Sequence, residues 1–198
     1  ATARALVAEG FAVALNGIAD DQELRDAVAA LRDQGAVVMA APFDVTDIAG
    51  HAGQLARIEA ELGPLTTLVN NAGVVVVSSV EQHSIEDYEW LMGINFWGVL
   101  YGSKFFIPYL RKSPEAFVVN ISSVFGMVAM PHLSSYNAAK FAVRGFSESL
   151  AHELHGTSVR VMTVYPGGVR TDFVKKGRFS STPGKKSHQE FNSLFTKY

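Results

Sequence analysis

The chain has 198 residues, 48% of them hydrophobic and 18% charged, with a formal net charge of −2. That suits a single domain over 1–198 with a substantial apolar core. Scattered basic residues exclude a nucleic-acid surface, and the absence of cysteine excludes disulfides, thiolate nucleophiles and cysteine metal sites. No apolar run reaches the roughly 18 to 20 residues that span a bilayer, and no signal peptide is visible. A cysteine-free chain of this kind fits a reducing cytoplasm, the expected location.

Residues 1–9 are predicted to form a helix ending at Gly10, which can take the left-handed conformation after a helix end. "FAVAL" (11–15) is a strand, 20–34 an amphipathic helix closed by Gly35, and "AVVMA" (36–40) the next strand. A helix over 47–62 stops at Gly63-Pro64, and "LTTLV" (65–69) is a strand. Ser84 with Asp87 has the spacing of a capping box and opens a long helical stretch to about 112. "AFVVNI" (116–121) is a strand, 135–155 a helix and 159–166 a strand. The segment 172–198, rich in Gly, Ser and Lys, is expected to be a mobile loop leading to a helix. Apolar strands alternating with amphipathic helices predict an α/β fold: a doubly wound, Rossmann-like parallel sheet in three α/β/α layers.

Ligands of such sheets bind beyond the carboxyl ends of the strands. Those ends carry Asn16-Gly17, Asp44-Val45, Asn70-Asn71-Ala72-Gly73, Ser122-Ser123 and Pro166-Gly167. Further along, Tyr136 and Lys140 stand four apart and so share one helical face. A bare Y-x-x-x-K usually means a packed tyrosine beside a solvated lysine; here its neighbours decide otherwise.

"DVTD" (44–47), "NNAG" (70–73), Asn95 in "GINFWG", "NISS" (120–123), "YNAAK" (136–140) and "PGGVRT" (166–171) occur together in this order. In these motifs the sequence resembles the short-chain dehydrogenase/reductase family along nearly its whole length. Ser123 precedes Tyr136 by the thirteen residues the family pattern has. The resemblance implies an NAD(P)-dependent oxidoreductase with Asn95, Ser123, Tyr136 and Lys140 as its catalytic set. Reducing a ketone needs a hydride and a proton, and a tyrosine, of ordinary pKa near 10, could give the proton. A cation about 4 Å away is worth roughly 4 kcal/mol at an effective dielectric near 20, or about three pKa units before desolvation. Lys140 is expected to lower the Tyr136 pKa in this way, and in the family the same lysine holds the nicotinamide ribose. Ser123 would donate to the substrate carbonyl, with Ser122 serving the backbone. Asn95 would interrupt a helix and hold a water that relays protons to the lysine.

The resemblance also implies cofactor contacts. Asp44 and Val45 correspond to the adenine contacts. Asn70, Ala72 and Gly73 would line the cofactor after a strand, where the small residues let the backbone approach it. Pro166, Gly167, Val169 and Thr171 would face the carboxamide. Choice between NAD and NADP falls to the end of the first visible strand, where Asn16-Gly17-Ile18 offers neither an acid nor an arginine. The missing acid leans toward NADP. The family begins with a strand and a glycine-rich turn, whereas this sequence opens inside the following helix, and the family's last strand is not visible either. The 198 residues are therefore expected to be part of a longer chain, with the sheet in two halves. An intact mass near 21.4 kDa would contradict this.

The substrate pocket is expected at Val74–Val77, Phe125, Met127, Met130, His132 and 172–198. These residues are mostly apolar, which favours a lipophilic or small neutral carbonyl compound or alcohol. "HELH" (152–155) lacks the i, i+4 histidines of a zinc protease motif, so no metal is expected. The aromatic residues between Trp90 and Phe106 are read as packing. The family builds a homodimer, often within a homotetramer, on helices corresponding to 97–112 and 136–155. No nucleic acid or membrane partner is expected. Two other readings share the fold: a non-catalytic NAD(P)-sensing or scaffold protein, and an epimerase or dehydratase.

Overall fold

The strands Val13–Leu15, Val38–Ala40, Thr67–Asn70 and Ala116–Ile121 are short apolar runs, each followed by a segment whose apolar residues recur at helical spacing. The computed structural model describes residues 2–168, 173 and 177–179. The helices are α1 (Thr2–Ala8), α2 (Gln22–Arg32), α3 (Gly50–Leu62), α4 (Ile85–Met92), α5 (Gly98–Leu110) and α6 (Ser134–Glu153). The strands are β1 (Val13–Leu15), β2 (Val38–Ala40), β3 (Thr67–Asn70), β4 (Val76–Val77), β5 (Ala116–Ile121), β6 (Val159–Val164) and β7 (Arg178–Phe179). All the strand pairs are parallel: β1 with β2, the order β3-β5-β6, and β4 with β7. Among the described residues β1 and β3 share no ladder, so the Rossmann-like sheet stands in two halves, as expected.

Helices cover these strands through their apolar stripes. Leu24, Val28 and Leu31 of α2 bury against Val13 and Val38, with Leu6 and Val7 of α1 beside them. Leu110 of α5 and Leu150 of α6 pack with Leu68, Val118 and Val159. Asp21 caps α2 by accepting from Leu24 N at 2.9 Å. Gly10 has φ +84°, the left-handed end expected for α1.

The stretch over 84–112 is interrupted at Asn95, where the resemblance places a break: a π-helical turn, Gly93–Trp97, separates α4 from α5. The π-helical form itself went unpredicted, since periodicity does not reveal a one-turn widening. The two-residue pair β4–β7 also went unpredicted, since two residues carry no alternation. Only half of the capping box forms: Ser84 Oγ accepts from Asp87 N at 3.1 Å, while the Asp87 carboxylate pairs with Arg178.

A buried polar chain ties the larger sheet to its helices. Asn70 Nδ2 donates to Asn120 Oδ1 at 2.8 Å and lies 3.1 Å from Ser103 Oγ. Asn120 Nδ2 donates to Ser147 Oγ at 2.9 Å, and Ser147 Oγ donates to Val143 O at 2.7 Å. Asn120 is fully buried, so removing its amide leaves partners without bonds or water. Asn120→Ala is expected to lower stability by about 2–3 kcal/mol, a melting-temperature drop of about 5–10 °C by calorimetry.

Candidate active site

Strand β5 delivers Ser122 and Ser123 to the carboxyl edge of the sheet, where a 3₁₀ turn, Val124–Gly126, reverses the chain. Ser122 N donates to Val164 O at 2.8 Å, and Val124 N to Pro166 O at 2.9 Å, so the ends of β5 and β6 are joined. The hydroxyl of Ser122 is spent on the Lys140 carbonyl at 2.9 Å. Gly126 packs there as well: a Cβ on it would lie 2.7 Å from Lys140 O, so only glycine lets the turn meet α6. Ser134, at the start of α6, hydrogen-bonds the Tyr88 hydroxyl and docks α6 on α4.

With α6 fixed at its start, Tyr136 and Lys140 face inward one turn apart. Both are buried, Lys140 at 4% exposure. Its Nζ donates to Ile121 O at 2.9 Å and lies 5.6 Å from the centroid of the Tyr136 ring. Ser123, buried at the turn after β5, accepts from Phe125 N at 3.1 Å through its Oγ, and its hydroxyl acts on the Tyr136 phenol. Around the ring stand Val75, Val76, Val77, Leu91, Leu133 and Ala139, with Phe173 5.9 Å away between centroids.

The electrostatics correct one expectation. Burial raises the Tyr136 pKa above its ordinary value, and the Ser123 hydrogen bond opposes this in part. Burial also lowers Lys140 to about 8. A cation about 4 Å from the phenol would lower its pKa, but in the fold desolvation is the larger effect. Tyr136 is therefore held as a neutral acid, with a buried ammonium beside it below about pH 8.

Asn95 sits in the π-helical turn, fully buried. Its Oδ1 accepts from Val74 N at 2.8 Å and its Nδ2 donates to Val74 O at 2.8 Å. Both ends of the amide thus clamp the backbone after "NNAG". A Cβ on Gly73 would lie 3.4 Å from Asn95 Oδ1 and 3.7 Å from Lys140 Nζ. Gly73, Asn95, Ser123, Tyr136 and Lys140 are therefore one cluster.

The nucleotide-side residues converge less uniformly. Asp44 Oδ1 accepts from Thr46 N at 2.8 Å and Thr46 Oγ1 at 2.7 Å, which shapes the turn after β2. Val45 packs on Gly98, at the end of the π-helical turn. Asn16 donates to Ala41 O at 2.9 Å and Phe43 O at 3.0 Å, and so ties the ends of β1 and β2. The Asn70 amide turns into the fold, as described above. Gly17 follows Asn16 at the carboxyl end of β1, with a Cβ on it 3.3 Å from Leu24 Cδ2. Ala72 lies in the loop after β3, and Gly167 follows Pro166 at the end of β6. Val169 and Thr171 lie outside the described residues, as does 172–198 apart from 173 and 177–179.

Of the expected pocket residues, Val75–Val77 are buried core, and Val74, Phe125 and Met130 are partly buried against them. Met127 and His132 are exposed. Sequence reasoning missed Asn120, Ser103 and Ser147; the only signal was an asparagine inside an apolar strand.

The residues present fit a nicotinamide cofactor. Lys140 carries three N–H donors and Ile121 O takes one, which leaves two for a pair of neighbouring hydroxyls. Gly73 keeps the backbone open beside that ammonium. Among the described residues no group of His, Asp and Glu could hold a metal ion, and no helix is long and apolar enough to cross a membrane.

Residues 1–180 match the family model described as short chain dehydrogenase. A 3-alpha-(or 20-beta)-hydroxysteroid dehydrogenase of Mycobacterium tuberculosis is 31% identical over 185 residues, covering 92% of this chain and 70% of that protein. An NADP-dependent (R)-specific alcohol dehydrogenase of Lentilactobacillus kefiri is 39% identical over 141 residues, 70% of this chain and 56% of that one. A short chain dehydrogenase/reductase of Burkholderia phymatum, solved in complex with NAD, superposes with a TM-score of 0.90 at 26% identity, covering 99% of this chain and 74% of that one. The chain spans little more than half the length of some curated relatives it matches, 58% for a further one from Mycobacterium tuberculosis.

Proposed function

The chain belongs to the short chain dehydrogenase family, and from that premise we propose that it is an NAD(P)-dependent oxidoreductase interconverting a secondary alcohol and a ketone or aldehyde. The observation that carries this reading is the buried Lys140 ammonium 5.6 Å from the ring centroid of the buried Tyr136, one helical turn away, with the buried Ser123 at the end of β5. When bound, the nicotinamide supplies a hydride to the carbonyl carbon. Tyr136, kept protonated by burial, gives its proton to the carbonyl oxygen as that oxygen gains electrons. Ser123 stabilises the developing charge by hydrogen bonding. Lys140 sets a positive charge beside the tyrosinate left behind, and its remaining donors hold the ribose hydroxyls. Asn95 holds the Val74 backbone, and with it the floor of the site.

The apolar shell around Tyr136 supports a neutral, lipophilic substrate. The lack of an acid in Asn16-Gly17-Ile18, at the end of β1, supports NADP over NAD. Half-exposed Trp97 and Phe141, on the helical side expected to form an interface, support a homodimer or homotetramer. The test is a screen of cyclopentanone, a steroid ketone and a keto acid with NADH and NADPH, followed at the nicotinamide absorbance band. Oxidation of either cofactor with a neutral ketone supports the reading, whereas cofactor binding with no turnover favours the sensing or scaffold protein. Because Lys140 loses its proton near pH 8, kcat/KM for reduction is expected to fall as pH rises through about 8. A flat profile between pH 7 and 9 would contradict that role.

A further inference from the structure

Arg178 lies in no motif, and the mechanism does not use it. Its backbone N donates to Val75 O at 2.9 Å, and β7 pairs with β4 in the register Val76↔Arg178 and Val77↔Phe179. Its guanidinium carbon stands 3.5 Å from the centroid of the Trp90 ring, and Nη1 bonds Asp87 Oδ1 at 2.6 Å. Trp90 and Asp87 belong to α4, one turn apart on the same face. One side chain thus fastens β7 to α4 by stacking and by an ion pair. Phe179, next along the strand, packs against the buried cluster that contains Tyr136, and Phe173 packs on the Tyr136 ring itself.

We propose that Arg178 is a positioning residue: clasped between Trp90 and Asp87, it holds Phe173 and Phe179 as an apolar wall over Tyr136 and so sets the preference for bulky, lipophilic carbonyl compounds. This rests on the oxidoreductase reading above. The guanidinium is half exposed and the Asp87 carboxylate largely covered, so the pair is open to screening by salt. A small ketone that does not reach the wall is indifferent to it, whereas a steroid ketone needs it.

The test compares Arg178→Ala, Arg178→Lys and Trp90→Leu with the wild type. Arg178→Ala should raise KM for a steroid ketone about tenfold, equivalent to about 1.4 kcal/mol, with kcat within about twofold and cyclopentanone kinetics within about twofold. Arg178→Lys keeps the charge and loses the planar stack, so it should fall between. Trp90→Leu should reproduce the KM effect while leaving the Asp87 pair. An unchanged steroid-to-cyclopentanone ratio, or an equal loss of kcat on both, would overturn the proposal. A second arm reads the clasp without turnover. In a Trp97→Phe background, acrylamide should quench Trp90 more readily after Arg178→Ala, and in the unsubstituted clasp more readily at high salt. Unchanged quenching would overturn the clasp. A wild type inert toward every ketone would instead overturn the oxidoreductase reading, and the quenching arm would still decide the clasp.

Discussion

Tyr136→Phe is expected to lower kcat for ketone reduction by about 1,000-fold, within the range that a positioned proton donor contributes. The substitution removes one oxygen. The ring stays among Val75, Val76, Val77, Leu91, Leu133 and Ala139, so the core loses little packing. Ser123 keeps its bond from Phe125 N, so the turn after β5 holds its shape. What disappears is the only neutral acid in the cluster. Cofactor affinity, measured by quenching of reduced-nicotinamide fluorescence, should change by less than about threefold, because Lys140 and Gly73 are untouched. Equal losses in cofactor binding and turnover would mean that Tyr136 is a packing residue.

Lys140→Met is expected to abolish turnover by a similar factor, about 100- to 1,000-fold, while making the fold more stable. Burial lowers the Lys140 pKa from 10.5 to about 8, so the folded state disfavours the charged form. At pH 7 lysine is protonated in both states and the penalty is fully present. Between about pH 8 and 10.5 the unfolded chain binds the extra proton, so wild-type stability rises with pH in that window. The full penalty is of the order of 3 kcal/mol. Methionine removes it and fills similar space, but leaves Ile121 O without its donor, which takes back about 1–2 kcal/mol. A net gain of about 1–2 kcal/mol at pH 7 is expected, a rise of about 2–6 °C in melting temperature, shrinking toward zero or below by pH 10. A destabilised Lys140→Met protein at pH 7 would show that the ammonium holds the fold together more than it strains it.

The larger elements and the grouping of Ser123, Tyr136 and Lys140 into one candidate cluster were legible in the sequence for one reason: each lies in a pattern of fixed spacing. Tyr136 and Lys140 share a helical face by geometry, and Ser123 lies at the end of an apolar strand, where ligand-facing residues belong. What escaped depends on contacts between distant segments. The Asn70–Asn120–Ser147 chain joins two strands and a helix, and no local pattern announces it. The clamp at Asn95 escaped as well: its Oδ1 accepts from Val74 N and its Nδ2 donates to Val74 O, twenty-one residues away in the chain. The direction of the Tyr136 shift escaped for a similar reason. Spacing gives the distance between two charges, but the desolvation that outweighs their attraction depends on the whole apolar shell.

The most direct test of the central claim is to mix the protein with NADPH, and separately NADH, and a neutral ketone in weakly buffered indicator solution, following nicotinamide absorbance and proton uptake together. Wild type should oxidise the cofactor with one proton taken up per molecule, and Tyr136→Phe should bind the cofactor but be nearly silent in both signals. Tight cofactor binding with a flat absorbance trace on every ketone, or a Tyr136→Phe protein as fast as wild type, would contradict the account.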